Sequence, residues 1–211
     1  MIFKQIKSGG DRNFAYLAAS ESIKEGVVVD PSPDPAPVIN AVKQLDIKIR
    51  YIINTHSHFD HSGGNDYVRK ALGNDLSGLI NCGQGTEVKD GDCINIGELT
   101  FKFLSTPGHT PDSICIYTNG SLITGDTLFV GKVGGTYGTE NAVAEFESLK
   151  RLMLLDPATL IWPGHDYGIK KSSTIDFEIS HNPFIQRLSD FSQFLWLKRN
   201  WAEYKKEHGI K

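Results

Sequence analysis

A chain of 211 residues, 39% hydrophobic and 22% charged, has ordinary globular composition, which excludes a disordered or fibrous chain. At this length folding hides roughly 70% of the surface, so no staples are needed. The formal net charge of −3 argues against a dedicated nucleic-acid protein.

In chain order, Val27-Val28-Val29-Asp30 is the first clear element, a buried strand ending in a rigid Pro-rich loop over 31–37. A short helix over 38–45 follows, then a second buried strand, Tyr51-Ile52-Ile53-Asn54. A polar, His-rich loop and Gly63-Gly64 lead into a helix over 65–72. Residues 99–104 alternate partly, as a strand does. Two further β-type runs, 114–117 and 122–124, flank Asn119-Gly120, the strongest short-range hairpin signal. Residues 142–155 read as a helix with Val143, Phe146, Leu149 and Met153 on one face, stopped by Asp156-Pro157. Leu160-Ile161-Trp162 is a short strand, and a long helical pattern runs over about 183–207.

Strands and helices are thus interleaved, which predicts an α/β (α+β in some schemes) layered fold with mixed sheets. No repeat or linker divides the chain, so 1–211 reads as one domain with the C-terminal helix packed on it. Phe184, Phe191, Phe194, Trp196 and Trp201 suit that packing; a homodimer interface or a substrate-channel wall is the alternative. Cys82, Cys93 and Cys115 have no C-x-x-C spacing and read as structural thiols in a reducing compartment, the cytoplasm. No apolar run reaches the ~18 residues of a membrane span, and the first residues do not open a signal peptide.

The chemistry concentrates in Thr55-His56-Ser57-His58-Phe59-Asp60-His61, an H-x-H-x-D-H motif just past a strand. Neutral imidazoles with a carboxylate are the donor set favoured by zinc and similar borderline divalent ions. In an extended loop His56 and His58 point the same way and can share one ion, while Asp60 and His61 can turn toward a second. His109, Asp126 and His165 each follow an apolar run and lie beside a glycine, in Gly108-His109-Thr110, Gly125-Asp126-Thr127 and Gly164-His165-Asp166. Strand-end loops on one sheet edge are where ligand sites collect. His181 and His208 fall outside this set. Neither Ser57 nor Ser62 sits in a nucleophile elbow.

The ordered set H-x-H-x-D-H, Gly-His-Thr, Gly-Asp-Thr-Leu and Gly-His-Asp-Tyr resembles the metallo-β-lactamase-fold hydrolases, most closely the glyoxalase II (hydroxyacylglutathione hydrolase) branch. The resemblance spans about 27–168. It implies a four-layer αβ/βα sandwich of two mixed sheets flanked by helices. It also implies two divalent metal ions, zinc first, with iron or manganese as alternatives. One would take His56, His58 and His109, the other Asp60, His61 and His165, with Asp126 bridging. A metal-bridging hydroxide would attack an acyl thioester or related ester, Asp60 acting as catalytic residue by orienting it and taking its proton. Asp30 resembles the family's first-motif aspartate and would support a ligand, with a turn role as the alternative. Lys132 resembles its glutathione-contacting position, with a solvated lysine as the alternative.

The departures bear on substrate. Ser57 stands where that branch usually has a third histidine, and Val133-Gly134-Gly135-Thr136-Tyr137-Gly138 replaces an aromatic–glutamate segment. Only residues 166–211 follow His165, short of the longer glutathione-gripping helical domain. Lys198, Arg199, Lys205 and Lys206 read first as a solvated basic helix end, with contact to an anionic substrate as the alternative. The expected partner is a small thiol-derived acyl compound, with no nucleic acid and no membrane. The tail, with Ser172-Ser173-Thr174 and Asn182-Pro183, also resembles the persulfide dioxygenase relatives, where one iron would sit on His56, His109 and Asp126. A lactonase and a non-catalytic relative are lesser alternatives.

Overall fold

Alternation along the strands decides the architecture of the computed structural model, which describes residues 1–73, 76–81 and 85–210. In β2 (Phe14–Ala19), Phe14, Tyr16 and Ala18 enter one buried cluster and Ala15, Leu17 and Ala19 another. Val27 and Val29 oppose Val28 in the same way along β3 (Glu25–Val29). A strand covered on both faces has no polar face to show, hence the unbroken apolar runs.

The first sheet has five strands in the order β1 (Ile2–Lys7), β2, β3, β4 (Lys48–Ile53) and β5 (Gly78–Ile80). Its first three strands pair antiparallel and its last three parallel. The second sheet runs β13 (Ser173–Thr174), β12 (Leu160–Pro163), β9 (Ser121–Gly125), β8 (Ile114–Thr118), β7 (Leu99–Ser105) and β6 (Cys93–Ile96). Only β12 and β9 are parallel neighbours there. A separate ribbon joins β10 (Leu128–Phe129) to β11 (Lys132–Val133). Phe14, Tyr16, Val29 and Ile53 of the first sheet meet Phe101, Phe103, Ile116 and Ile123 of the second. Each such side chain contributes about 1.5–3 kcal/mol by burial.

Helices α1 (Ala36–Gln44) and α3 (Asn65–Leu72) cover the outside of the first sheet through Val38, Val42, Ile39 and Val68. Helices α4 (Gly138–Leu152), α5 (Ile175–His181) and α6 (Phe191–Arg199) cover the second through Phe146, Leu149, Ile175, Phe194 and Leu197. The result is the four-layer αβ/βα sandwich. Between β8 and β9, Asn119 and Gly120 both take positive φ, 45° and 72°, as the two-residue turn requires.

The predicted helix over about 183–207 is not continuous. Residues Ile185–Arg187 form a single 3-10 turn, after which the Asp190 side chain accepts from the Ser192 and Gln193 amides and starts α6 anew. Asn200 then separates α6 from α7 (Trp201–Glu207). An aspartate satisfies backbone donors locally, so it begins a helix more readily than it continues one, whereas Asn200 makes no such cap and its Nδ2 donates to Trp196 O at 2.8 Å. Phe184, Phe191, Phe194 and Trp201 pack as expected, but Trp196 is 52% exposed. Val143 is also exposed; Ala142, Glu145 and Ser148 share the buried face with Phe146 and Leu149. Cys115 is buried, which raises its thiol pKa to about 11, whereas Cys93 is exposed on the edge strand; Cys82 lies outside the described residues. Among the described residues no helix is long and apolar enough to cross a membrane.

Candidate metal centre

Five strand ends converge on one edge of the sandwich. Asp30 follows β3, His56 follows β4, and a one-turn helix α2 (Phe59–Ser62) carries Asp60 and His61. From the second sheet, His109 follows β7, Asp126 follows β9 and His165 follows β12. The loops are stitched together: Phe14 N donates to Gly164 O at 2.8 Å and Ile114 N to Thr55 O at 2.8 Å.

All seven residues singled out in the sequence meet there. Three groups have donor atoms mutually within 4.8 Å: His56, His58 and His109; His56, His61 and Asp126; and Asp60, His61 and His165. The outer nitrogens explain how the rings are aimed. His61 Nδ1 donates to Asp30 Oδ2 at 3.0 Å, His165 Nδ1 to Asp11 O at 2.8 Å, and His109 Nδ1 to Gly135 O at 2.7 Å. Thr55 Oγ1 donates to Asp30 Oδ2 and so accepts from His56 Nδ1 at 3.1 Å. With every outer nitrogen a donor, the Nε2 atoms of His56, His61, His109 and His165 all face inward. His61 Nε2 and His165 Nε2 are 3.1 Å apart, and His58 Nδ1 lies 3.0 Å from His56 Nε2 and 3.1 Å from His109 Nε2. Ring nitrogens gathered at that separation fit a cation between them.

Charge points the same way. Asp126 Oδ1 is buried without a hydrogen-bond partner among the described residues. Burial works against the Asp126 carboxylate, yet His165 and His61 bring its pKa down to about 2. The hydrogen bond from His165, then that from Asn13, holds Asp60 well below the usual carboxylate range. At His165, burial opposes the proton, but Asp126 and Asp60 draw its pKa up to about 10, so these carboxylates demand positive charge between them. Burial and the neighbouring His61 push His56 down to about 2, leaving it neutral, as a ligand must be. The donor set and its surroundings therefore fit divalent metal binding.

Several supporting residues carry no sequence signal of their own. Asn13, in the β1–β2 loop, donates to Asp60 Oδ2 at 3.0 Å and to the Asp60 carbonyl at 3.1 Å. Tyr167 stacks on His165 with centroids 4.5 Å apart and donates to Asp11 Oδ2 at 2.8 Å. Asp30, by contrast, is expected from the sequence as a ligand support; it sits at φ +50°, a conformation costly for a side-chain-bearing residue, and bonds Thr55 and His61. Beside the centre, Lys132, Tyr167, Arg199 and Trp201 line a groove of about 460 Å³. The Lys132 ammonium lies 4.5 Å from the Tyr167 ring centroid. Lys198 departs from the solvated reading: only 9% of its side chain is exposed and it pairs with the fully buried Glu145. His181 and His208 stack on Phe177 and Tyr204 on the C-terminal helices, outside the three groups.

Comparison with known proteins agrees with this geometry. The metallo-beta-lactamase superfamily profile matches residues 9–76 and 83–165. The probable hydroxyacylglutathione hydrolase glo2 of Schizosaccharomyces pombe is 31% identical over 198 residues, covering 87% of this chain and 75% of that one. The mitochondrial persulfide dioxygenase ETHE1 of Homo sapiens is 30% identical over 191 residues, with the same coverage of both chains. The crystal structure of ETHE1 from Myxococcus xanthus superimposes with a TM-score of 0.85 at 30% identity, over 95% of this chain and 91% of the other. The chain belongs to the metallo-beta-lactamase superfamily.

Proposed function

We propose that this protein is a two-metal hydrolase of the glyoxalase II type, cleaving a thioester of the hydroxyacylglutathione kind or a related ester. The observation that carries the reading is the second donor group: Asp60, His61 and His165 stand beside His56, His58 and His109, with Asp126 within reach of both. A site for one ion does not need Asp60 in that place. Zinc is the expected metal, with iron or manganese as alternatives. Bound there, the ion pair supplies a water of lowered pKa and a Lewis acid for the acyl oxygen.

The chain's own residues do the rest. Asp60, ionised and pinned by Asn13, points Oδ2 to within 3.4 Å of His165 Nε2, where it can orient the attacking water and accept its proton. The thiolate leaves without strong acid help, since an ordinary thiol pKa is about 8.5. Lys132 and Arg199, on the wall of the adjoining groove, would meet an anionic thiol carrier. We place the enzyme in the cytoplasm as a single domain spanning 1–211.

A second reading, a mononuclear-iron persulfide dioxygenase on His56, His109 and Asp126, is favoured by the likeness to the Myxococcus protein over nearly its whole length. Metal content and turnover on S-lactoylglutathione, other acyl thioesters and glutathione persulfide separate the two. About two zinc per chain with thioester cleavage abolished in Asp60→Asn and His109→Ala supports hydrolysis. About one iron with oxygen uptake on the persulfide overturns it.

A further inference from the structure

The buried pair of Lys198 and Glu145 has no evident role in stability. Lys198 Nζ donates to Glu145 Oε2, while Glu145 Oε1 is buried without a hydrogen-bond partner among the described residues. Removing two such ions from water costs several kcal/mol each, and well-packed apolar residues in their place are often neutral or stabilising. What distinguishes this pair is its third contact. Lys198 Nζ also donates to Gly134 O at 2.7 Å.

That carbonyl belongs to the segment that aims His109. The next carbonyl, Gly135 O, accepts the His109 Nδ1 proton at 2.7 Å. A Cβ at Gly134 would fall 2.0 Å from Asp126 O and 3.2 Å from His109 Nδ1, so the main chain lies flush against both residues. Two consecutive glycines hold no such shape unaided, because their backbone is the freest of any. Glu145 also packs against Gly108, the residue before His109, its Cβ lying 2.3 Å from where a Cβ on Gly108 would stand.

Resting on the metallohydrolase reading, we propose that Lys198, seated on Glu145, is a positioning residue for His109. Its ammonium anchors the Gly134 carbonyl, which sets the Gly135 carbonyl, which in turn fixes the His109 tautomer with Nε2 toward His58 and Asp126. The last helical layer of the sandwich is thereby wired to the group of His56, His58 and His109.

The test is cobalt(II) titration of the metal-free full chain, read by chelator competition and visible spectrum. It compares wild type, Lys198→Met, and the apolar pair Glu145→Leu with Lys198→Met, whose fold is checked by thermal unfolding. In both variants one of the two cobalt sites is expected to weaken about 10–100-fold with a changed spectrum, the other keeping its affinity. Wild-type affinity and spectrum at both sites in these variants overturn the proposal alone. No cobalt binding by wild type overturns the metallohydrolase reading and the proposal with it. A measurement independent of the variants is proton exchange at His109 Nδ1 in zinc-loaded wild type. Slow exchange is expected, and exchange as fast as a solvated imidazole overturns the anchoring.

Discussion

Asp30 Oδ2 accepts the His61 Nδ1 proton at 3.0 Å while both side chains are cut off from solvent. The same carboxylate accepts from Thr55 N and Thr55 Oγ1, each at 2.7 Å. Asp30→Ala therefore leaves three buried donors unpaired and frees the His61 ring. A loss of about 3–5 kcal/mol is expected by chemical denaturation, with metal affinity down about 10–100-fold by chelator competition.

Gly164 offers a sharper dissection, because its main chain passes directly over the site. A Cβ there would sit 2.4 Å from Asp126 Oδ1 and 2.8 Å from His61 Cε1. Gly164→Ala is expected to displace Asp126 and lower kcat/KM at least about 100-fold, as misplacements near 1 Å do. Full activity with native metal content would contradict the geometry described for Asp126.

Between the sheets, Phe103 is fully buried in the central cluster. Phe103→Ala should cost about 3–5 kcal/mol in urea unfolding while the folded fraction keeps its metal stoichiometry.

The Glu145 carboxyl titrates in a measurable window. Burial raises its pKa from 4.5 to about 7, the Lys198 charge pulling the other way. Between those values the unfolded chain has released this proton and the folded chain still holds it. The associated stability is therefore complete below pH 4.5 and lost as pH rises through about 7, by at most about 1.4 kcal/mol per pH unit. Urea unfolding from about pH 5 to 8 should show this slope in wild type and not in Glu145→Gln.

Metal removal gives a last expectation. Five imidazoles and two carboxylates share the site, so chelation should lower Tm and re-addition of zinc should restore it. An unchanged Tm would mean that the folded and unfolded chains hold the metal equally.

Much of this was legible in the sequence because ligand chemistry is written in residue type and spacing. H-x-H-x-D-H, His109, Asp126 and His165 could be found without coordinates, and so could the strands that carry them, each an apolar run ending at a turn. The supports were not legible. Asn13 and Asp11 are ordinary polar residues of a loop before β2, whose Phe-Ala-Tyr-Leu-Ala-Ala carries too many alanines to read as a strand. Gly135 acts through a carbonyl, which has no letter of its own. Lys198 looked solvated because a helix end says nothing of what the helix lies against, and the break at Asp190 is a capping event that overrides the apolar period running through it.

The seven donors are divided between the two halves of the sandwich: His56, His58, Asp60 and His61 hang from the first sheet, and His109, Asp126 and His165 from the second. An ion seated among them acts as a clasp across the hydrophobic seam. Parting the sheets at that edge would break donor contacts from both halves at once, so an occupied site would oppose opening of the core there.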